Sequence, residues 1–316
     1  MSSTSPWHRG EQLLQERLGV AEQMQAVGQR VIRNYMPDQH RQFYAQLPFL
    51  LLGGVDAAGW PWAGILEGSP GFVQSPDARL LTIAAQPGQD DPLHACLHPG
   101  APVGLLGIEL PTRRRNRMNG DLQAVSDAGL TVAVTQSFGN CPKYIQQRDI
   151  SVVAPATSQS VPAEQRHHLD AAAQQLIRAA DTFFVASCFP GDASQPAASV
   201  DISHRGGKPG FVRVDGNRLT IPDFSGNRFF NTLGNLLLNP RAGLLFIDFA
   251  NGDLLQLTGR TEILWQDDTL AAFAGCERAW HFTVEQMWRR RGALALRGQA
   301  AQLSPYLLQT GAWPDG

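Results

Sequence analysis

The chain has 316 residues, of which 43% are hydrophobic and 17% charged. That is long enough for two ordinary domains and too apolar for a disordered chain. A formal net charge of -2 leaves no basic excess for nucleic acid and no polybasic block for a membrane surface, so neither partner is expected.

The polar N-terminus, Met1 to Arg17, lacks the charged start and apolar core of a secretory signal, which predicts a cytoplasmic location. Over Glu11 to Asn34, the residues Leu13, Leu14, Leu18, Val20, Met24, Val27 and Val31 fall roughly on one face and predict an amphipathic helix. The longest apolar run, Leu47 to Val55, is cut by Pro48, Gly53 and Gly54 and reads as a buried strand, too short to span a bilayer. Strands are predicted over 49–55, 63–66, 80–84, 103–110 and 130–134, with a short helix over 92–97. An Ala/Ser/Pro/Gln-rich stretch, Pro155 to Pro162, is the expected linker between halves 1–155 and 156–316. In the second half a helix over Pro162 to Ala180 precedes strands over 183–189, 198–202, 211–214, 218–221, 242–249 and 254–263. A helix over Phe229 to Leu238 stops at Asn239-Pro240.

The chain also repeats itself at an offset near 139 residues. Pro70-Gly71-Phe72-Val73 recurs as Pro209-Gly210-Phe211-Val212, Leu81-Thr82-Ile83 as Leu219-Thr220-Ile221, and Gly104-Leu105-Leu106 as Gly243-Leu244-Leu245. Ile108 matches Ile247, and Gly120 matches Gly259. Matches in preserved order indicate two copies of one domain. Five or six short strands per copy joined by tight turns predict a mainly β protein with flanking helices, two small barrels in one chain.

Cys96, Cys141, Cys188 and Cys276 are scattered without a CxxC pair, so neither a disulfide framework nor a zinc site is expected. The pairs His167-His168 and His94/His98 lack a third ligand, and no metal is expected there. The runs Arg113-Arg114-Arg115-Asn116-Arg117 and Arg289-Arg290-Arg291 read as strand ends with solvent-facing arginines. The densest polar constellation lies in the second copy: Ser203, His204, Arg205 and Lys208, then Asn227 and Arg228, then Thr232 and Asn235. Glycine turns with cations ahead of a helix suit an anion, because free backbone N–H groups and guanidinium forks both favour phosphate.

The segments DISHRGGKPGFVRV, LTIPDFSGNRFFNTLGNLLLNPRAGLLF and LLQLTGRTEI of copy two, with PWAGILEGSPGFV, GLLGIELPTRRRNRMNG and FGNCPKYIQQR of copy one, resemble the pyridoxamine 5'-phosphate oxidase-like superfamily. The resemblance implies two fused split β-barrels of the FMN-binding type, with FMN in the groove between them. It implies that Ser203, Arg205, Lys208, Asn227, Arg228, Thr232 and Asn235 serve the phosphate and ribityl chain, with His204 near substrate or cofactor. Copy one aligns Gly64 with Ser203, Leu66 with Arg205, Gln89 with Asn227 and Asp90 with Arg228, so a carboxylate replaces a cation and phosphate is disfavoured. Copy one instead carries Cys141-Pro142-Lys143-Tyr144-Ile145, which places Lys143 and Tyr144 on the ring side. One FMN per chain follows, in a site complete within the chain even where chains associate as a homodimer.

The function this implies is an FMN-dependent oxidoreductase acting on a small molecule, with NAD(P)H or a reductase as electron donor. The alternative is a non-catalytic flavin- or haem-binding protein for sensing, storage or scavenging. Pyridoxamine phosphate oxidation itself is disfavoured, because Leu303 to Gly316 lack the Arg/His ending of that enzyme.

Overall fold

The computed structural model describes residues 5–153, 162–193, 195, 197–265 and 273–313. Most of the linker expected over Pro155 to Pro162 lies outside these residues. The single N-terminal helix expected over Glu11 to Asn34 is two, α1 (Arg9–Arg17) and α2 (Ala21–Val31). They part at Gly19, whose φ of +65° is a left-handed conformation that glycine adopts without penalty. A third helix, α3 (Asp38–Ala45), follows and was not foreseen.

Seven strands come next: β1 (Phe49–Val55), β2 (Pro61–Glu67), β3 (Val73–Gln74), β4 (Leu80–Ile83), β5 (Pro102–Glu109), β6 (Arg114–Ser126) and β7 (Gly129–Gly139), with a 3-10 turn over Pro92–Cys96. They form one antiparallel sheet in the order β2-β1-β5-β6-β7-β4-β3. β8 (Ile150–Val152) closes the first half and β9 (Glu164–Arg166) opens the second. Next comes α4 (Ala171–Ala179), shorter than the helix expected over Pro162 to Ala180. Asp170 sets its start by accepting from the Ala173 amide at 2.9 Å.

Then come β10 (Thr182–Phe189), β11 (Ser199–Gly206), β12 (Arg213–Asp215), β13 (Arg218–Phe224), α5 (Asn231–Leu238), β14 (Arg241–Asp248), β15 (Asp253–Leu264) and β16 (Cys276–Arg290). Their order is β11-β10-β14-β15-β16-β13-β12, with β9 added beside β16. Strand for strand, this is the order of the first sheet. β17 (Leu296–Gly298) pairs with β8. The long strands β6 and β16 escape the sequence reading because polar residues such as Arg117, Asn119 and Arg289 occupy buried positions along them.

The correspondence extends to irregularities. The β6–β7 ladder slips at Asn119/Gly120 and the β15–β16 ladder at Thr258/Gly259. A Cβ on either glycine would overlap a carbonyl oxygen of the neighbouring strand, Ala133 or Thr283, so the repeated glycine marks a repeated bulge.

Each sheet encloses its own apolar core, Leu50, Leu52, Val103 and Leu105 in the first and Phe183, Val185, Leu244 and Phe246 in the second. A third cluster joins them, with Leu51, Ala63 and Leu106 against Phe184, Ala186, Ile202 and Leu245. Burying one such Leu or Phe contributes about 1.5–3 kcal/mol. The sheets touch where the recurring Gly-Leu-Leu begins. A Cβ on Gly104 would stand 2.6 Å from the Val200 carbonyl oxygen, and one on Gly243 would overlap that of Pro61. No helix among the described residues is long and apolar enough to cross a membrane.

Candidate functional site

Where the sheets meet, a groove is lined from both halves. Copy two supplies β11 (Ser203, His204, Arg205), the end of β13 (Asp223), the following turn (Asn227, Arg228), the first turn of α5 (Asn231, Thr232) and the start of β16 (Glu277, Arg278). Copy one supplies Arg115 and Arg117 from β6, with Asn140, Cys141, Lys143 and Tyr144 after β7. Six cations thus face the groove against two carboxylates, an excess of positive charge that favours anions there.

Of the nine residues singled out from the sequence, Ser203, Arg205, Asn227, Arg228, Thr232, Lys143 and Tyr144 line this groove. Lys208 and Asn235 do not. The Lys208 Nζ donates to the Thr310 carbonyl at 2.7 Å, where it ties down the C-terminal segment. Asn235 is fully buried one turn into α5 and donates to Ser187 Oγ at 3.0 Å and Asp201 Oδ2 at 2.8 Å. Asn235 shares a helix face with Thr232 but lies nearly one turn further from the helix mouth, where its partners are Ser187 and Asp201 of the sheet beneath.

The arginine runs also depart from expectation. Arg117 is 3% exposed, donates to Asp201 Oδ1 at 3.0 Å, and reaches Ser203 Oγ with its other nitrogen. Arg115 donates from Nε to the Cys141 carbonyl at 2.8 Å. Burial, reinforced by the neighbouring Arg117 charge, pulls the Arg115 pKa down to about 10. Arg289 is buried against Asp170 and Glu164, and Arg290 pairs with Asp91 at 2.5 Å. In place of solvent, Arg117, Arg289 and Arg290 meet acids contributed by other elements, and Arg115 meets a backbone carbonyl. Period-two alternation was the one available signal, since Arg115, Arg117 and Asn119 share a strand face.

Two acids organise the remaining cations. Asp223 accepts from Arg205 and, at 3.0 Å, from Arg278 Nε, and so holds both guanidinium groups at the wall. Asp201 gathers Arg117, Asn119 at 2.8 Å and Asn235. Several donors nonetheless stay unmatched. Arg117 Nε, Arg205 Nε, Asn140 Nδ2 and His204 Nε2 are buried without a hydrogen-bond partner, a cost of about 1–3 kcal/mol each that a ligand would relieve. Arg228 is exposed at φ +63°. Phe230 caps α5 with no side-chain hydrogen bond to its first turn, leaving those amides free for an anion.

The mouth is aromatic. Tyr144 at φ +64° donates to the Ser225 carbonyl at 3.1 Å, and its ring packs 5.2 Å from Phe224 and 6.1 Å from Tyr306. The Lys143 ammonium lies 5.3 Å from the Tyr306 ring centre. From α1, Glu11 reaches the lining residue Asn231 and accepts from the His8 amide at 3.0 Å. Burial, with Asp201 nearby, raises its carboxyl well above the usual range. Among the described residues no group of three His, Cys, Asp or Glu could hold a metal.

Burial and the surrounding Arg115, Arg205 and Arg148 charges push His204 well below 6.5, so its imidazole is neutral in the folded state. Below pH 6.5 the unfolded chain then binds a proton that the native one refuses, and stability falls as pH falls. His204→Gln removes this term, so the stability difference between wild type and variant should move by up to about 1.4 kcal/mol per pH unit below 6.5. Urea unfolding at pH 7.5 and 5.5 reads it; a pH-independent difference would show that His204 accepts its proton in the fold.

Two antiparallel sheets of one strand order thus meet around a cationic groove. Residues 169–303 match the family model described as Pyridoxamine 5'-phosphate oxidase. Over these residues the chain is similar to the pyridoxamine 5'-phosphate oxidase-like split-barrel superfamily. No curated protein matches the chain. Solved structures similar to parts of it include HupZ from Group A Streptococcus, at 14% identity over 38% of this chain and 98% of that one, with a TM-score of 0.29. Another is a putative pyridoxamine 5'-phosphate oxidase from Lactobacillus delbrueckii, at 14% identity over 34% and 95%, TM-score 0.27. A third is a FAD-binding protein from Mesorhizobium loti, at 13% identity over 41% and 97%, TM-score 0.27.

Proposed function

We propose that the chain is a flavoprotein of two fused split barrels, the product of an internal duplication, which binds one FMN in the groove between its halves and acts as an oxidoreductase. The observation that carries this reading is the lining itself: a cationic wall shared by both halves, with buried guanidinium, amide and imidazole nitrogens awaiting partners. Those donors fit a cofactor with a dianionic phosphate at one end and carbonyl and ring-nitrogen acceptors at the other. Arg228 and the uncapped first turn of α5 would hold the phosphate. Ser203, Asn227 and Thr232 would take the ribityl hydroxyls, while Arg205 stays oriented by Asp223. Arg115, Arg117, Lys143 and Tyr144 would border the ring from the other half, with Tyr144 and Phe224 screening it from water. Bound FMN supplies hydride or electron transfer; the chain supplies placement and polarity. A small-molecule substrate, NAD(P)H or a reductase as donor, and a cytoplasmic setting complete the proposal.

Absorbance and mass of the cofactor extracted from purified protein, followed by reduction with NADPH and reoxidation by an added acceptor, test the function directly. Colourless protein that takes up no FMN sinks it. The residue assignment is tested by Arg228→Ala. Losing a charge-assisted bond worth about 1.5–3 kcal/mol should weaken FMN at least about tenfold and leave riboflavin, without a phosphate, nearly unaffected. Equal losses for both ligands would make Arg228 structural.

A further inference from the structure

The repeat relates the groove to a second location, built from copy one with a contribution from copy two. Offsets fixed by the matched bulges place Gln256 of β15 where Arg117 stands on β6, and Arg290 at the end of β16 where Asn140 follows β7. Cys96 packs on Gly54 of β1 as Asn235 packs on Ser187 of β10. Counting back from these, Asp91 caps the 3-10 turn at the position where Phe230 caps α5. The sequence alignment puts Asp90 opposite Arg228, yet Asp90 is exposed and the buried carboxylate is its neighbour Asp91, 2% exposed.

Among the described residues, Asp91, Gln256 and Arg290 leave no buried side-chain nitrogen or oxygen without a partner at this second location. Arg290 donates to Asp91 Oδ2 at 2.5 Å and to Gln256 Oε1 at 3.2 Å. Gln256 Nε2 donates to Asp91 Oδ1 at 2.9 Å and to the Ala63 carbonyl at 3.1 Å, and Asp91 Oδ1 also accepts from the Leu93 amide at 2.9 Å. Asp91 is buried and Arg290 mostly so, their side chains 1% and 11% exposed. The contrast is sharp with the open groove, where the counterparts Arg117 and Asn140 each leave a buried nitrogen unpaired.

We propose that Asp91 is a built-in anion. It fills the second groove from within, satisfies Arg290 and Gln256, and leaves the chain one ligand site where its duplicated architecture outlines two. Removing that carboxylate should uncover a site for a small oxyanion made by Arg290 and Gln256. This inference stands on the repeat and the hydrogen bonds alone and does not need the FMN reading.

Asp91→Ala tests it by rescue with sodium formate, which replaces the lost carboxylate, against sodium chloride at equal ionic strength. The variant should be less stable than wild type, and formate at ten times its dissociation constant should raise its folded-to-unfolded ratio about elevenfold over chloride. Wild type, its site already filled, should respond equally to both salts. In Asp91→Ala/Arg290→Ala the rescue should vanish. Where Asp91→Ala does not fold unaided, recovery of folded protein on refolding with formate reads the same effect. Equal responses to formate and chloride, or rescue that survives loss of Arg290, would overturn the proposal.

Discussion

Arg117→Ala is expected to lower stability by about 3–5 kcal/mol, the usual cost of stripping one partner from a buried ion pair. Arg117 comes from the first half and Asp201 from the second, with both side chains 4% exposed. Without the guanidinium, Asp201 keeps only the neutral donors Asn119 and Asn235, and Ser203 loses the charged group that fixes its hydroxyl. The carboxylate is then a buried charge without a countercharge, which a protein interior tolerates poorly. Urea unfolding at constant m-value measures the loss. Adding Asp201→Asn to the variant should recover part of it, because the second substitution removes the charge that the first left stranded. A loss under about 1 kcal/mol, in the range of exposed pairs, would show that water reaches this pair.

Gly243→Val is expected to destabilise by about 2–3 kcal/mol through overpacking. What a side chain would strike there is the Pro61 carbonyl of the other sheet, backbone that cannot rotate aside. Its repeat-mate Gly104 faces the Val200 carbonyl in the same way, so Gly104→Val should cost a similar amount. Gly139→Ala serves as the comparison, since its nearest atom would be Asn116 Oδ1 at 3.6 Å, ordinary contact distance. If all three variants unfold at the same urea concentration, the sheets are not held in the close approach described above.

Much of this architecture is legible without coordinates. Alternating apolar runs cut by turn residues mark eleven of the strands between β1 and β15, because which residues can cover a core is a local property of the pattern. The offset near 139 residues foretells that both sheets share one strand order, since equal sequences fold alike. Seven of the nine singled-out residues lie on the groove because turn glycines and helix starts have local signatures. The helix boundaries around Gly19 and Asp170 were missed, as amphipathic periodicity runs through a single left-handed residue or a cap without recording either.

What only the tertiary structure decided is which polar residues face one another across the two halves. Alternation tells that Arg115, Arg117 and Asn119 share a face of β6. It cannot tell that β11 covers that face with Asp201 and Ser203, because the partner lies more than 80 residues away. The same holds for Lys208, drawn off by the Thr310 carbonyl, and for Asn235, turned inward to Asp201. The shift from Asp90 to Asp91 is a one-residue change of register in a loop, and one residue decides whether a carboxylate meets water or Arg290. Composition and spacing determine the two sheets; burial of charge, settled by long-range pairing, determines which arginines are held by acids and which stand open in the groove.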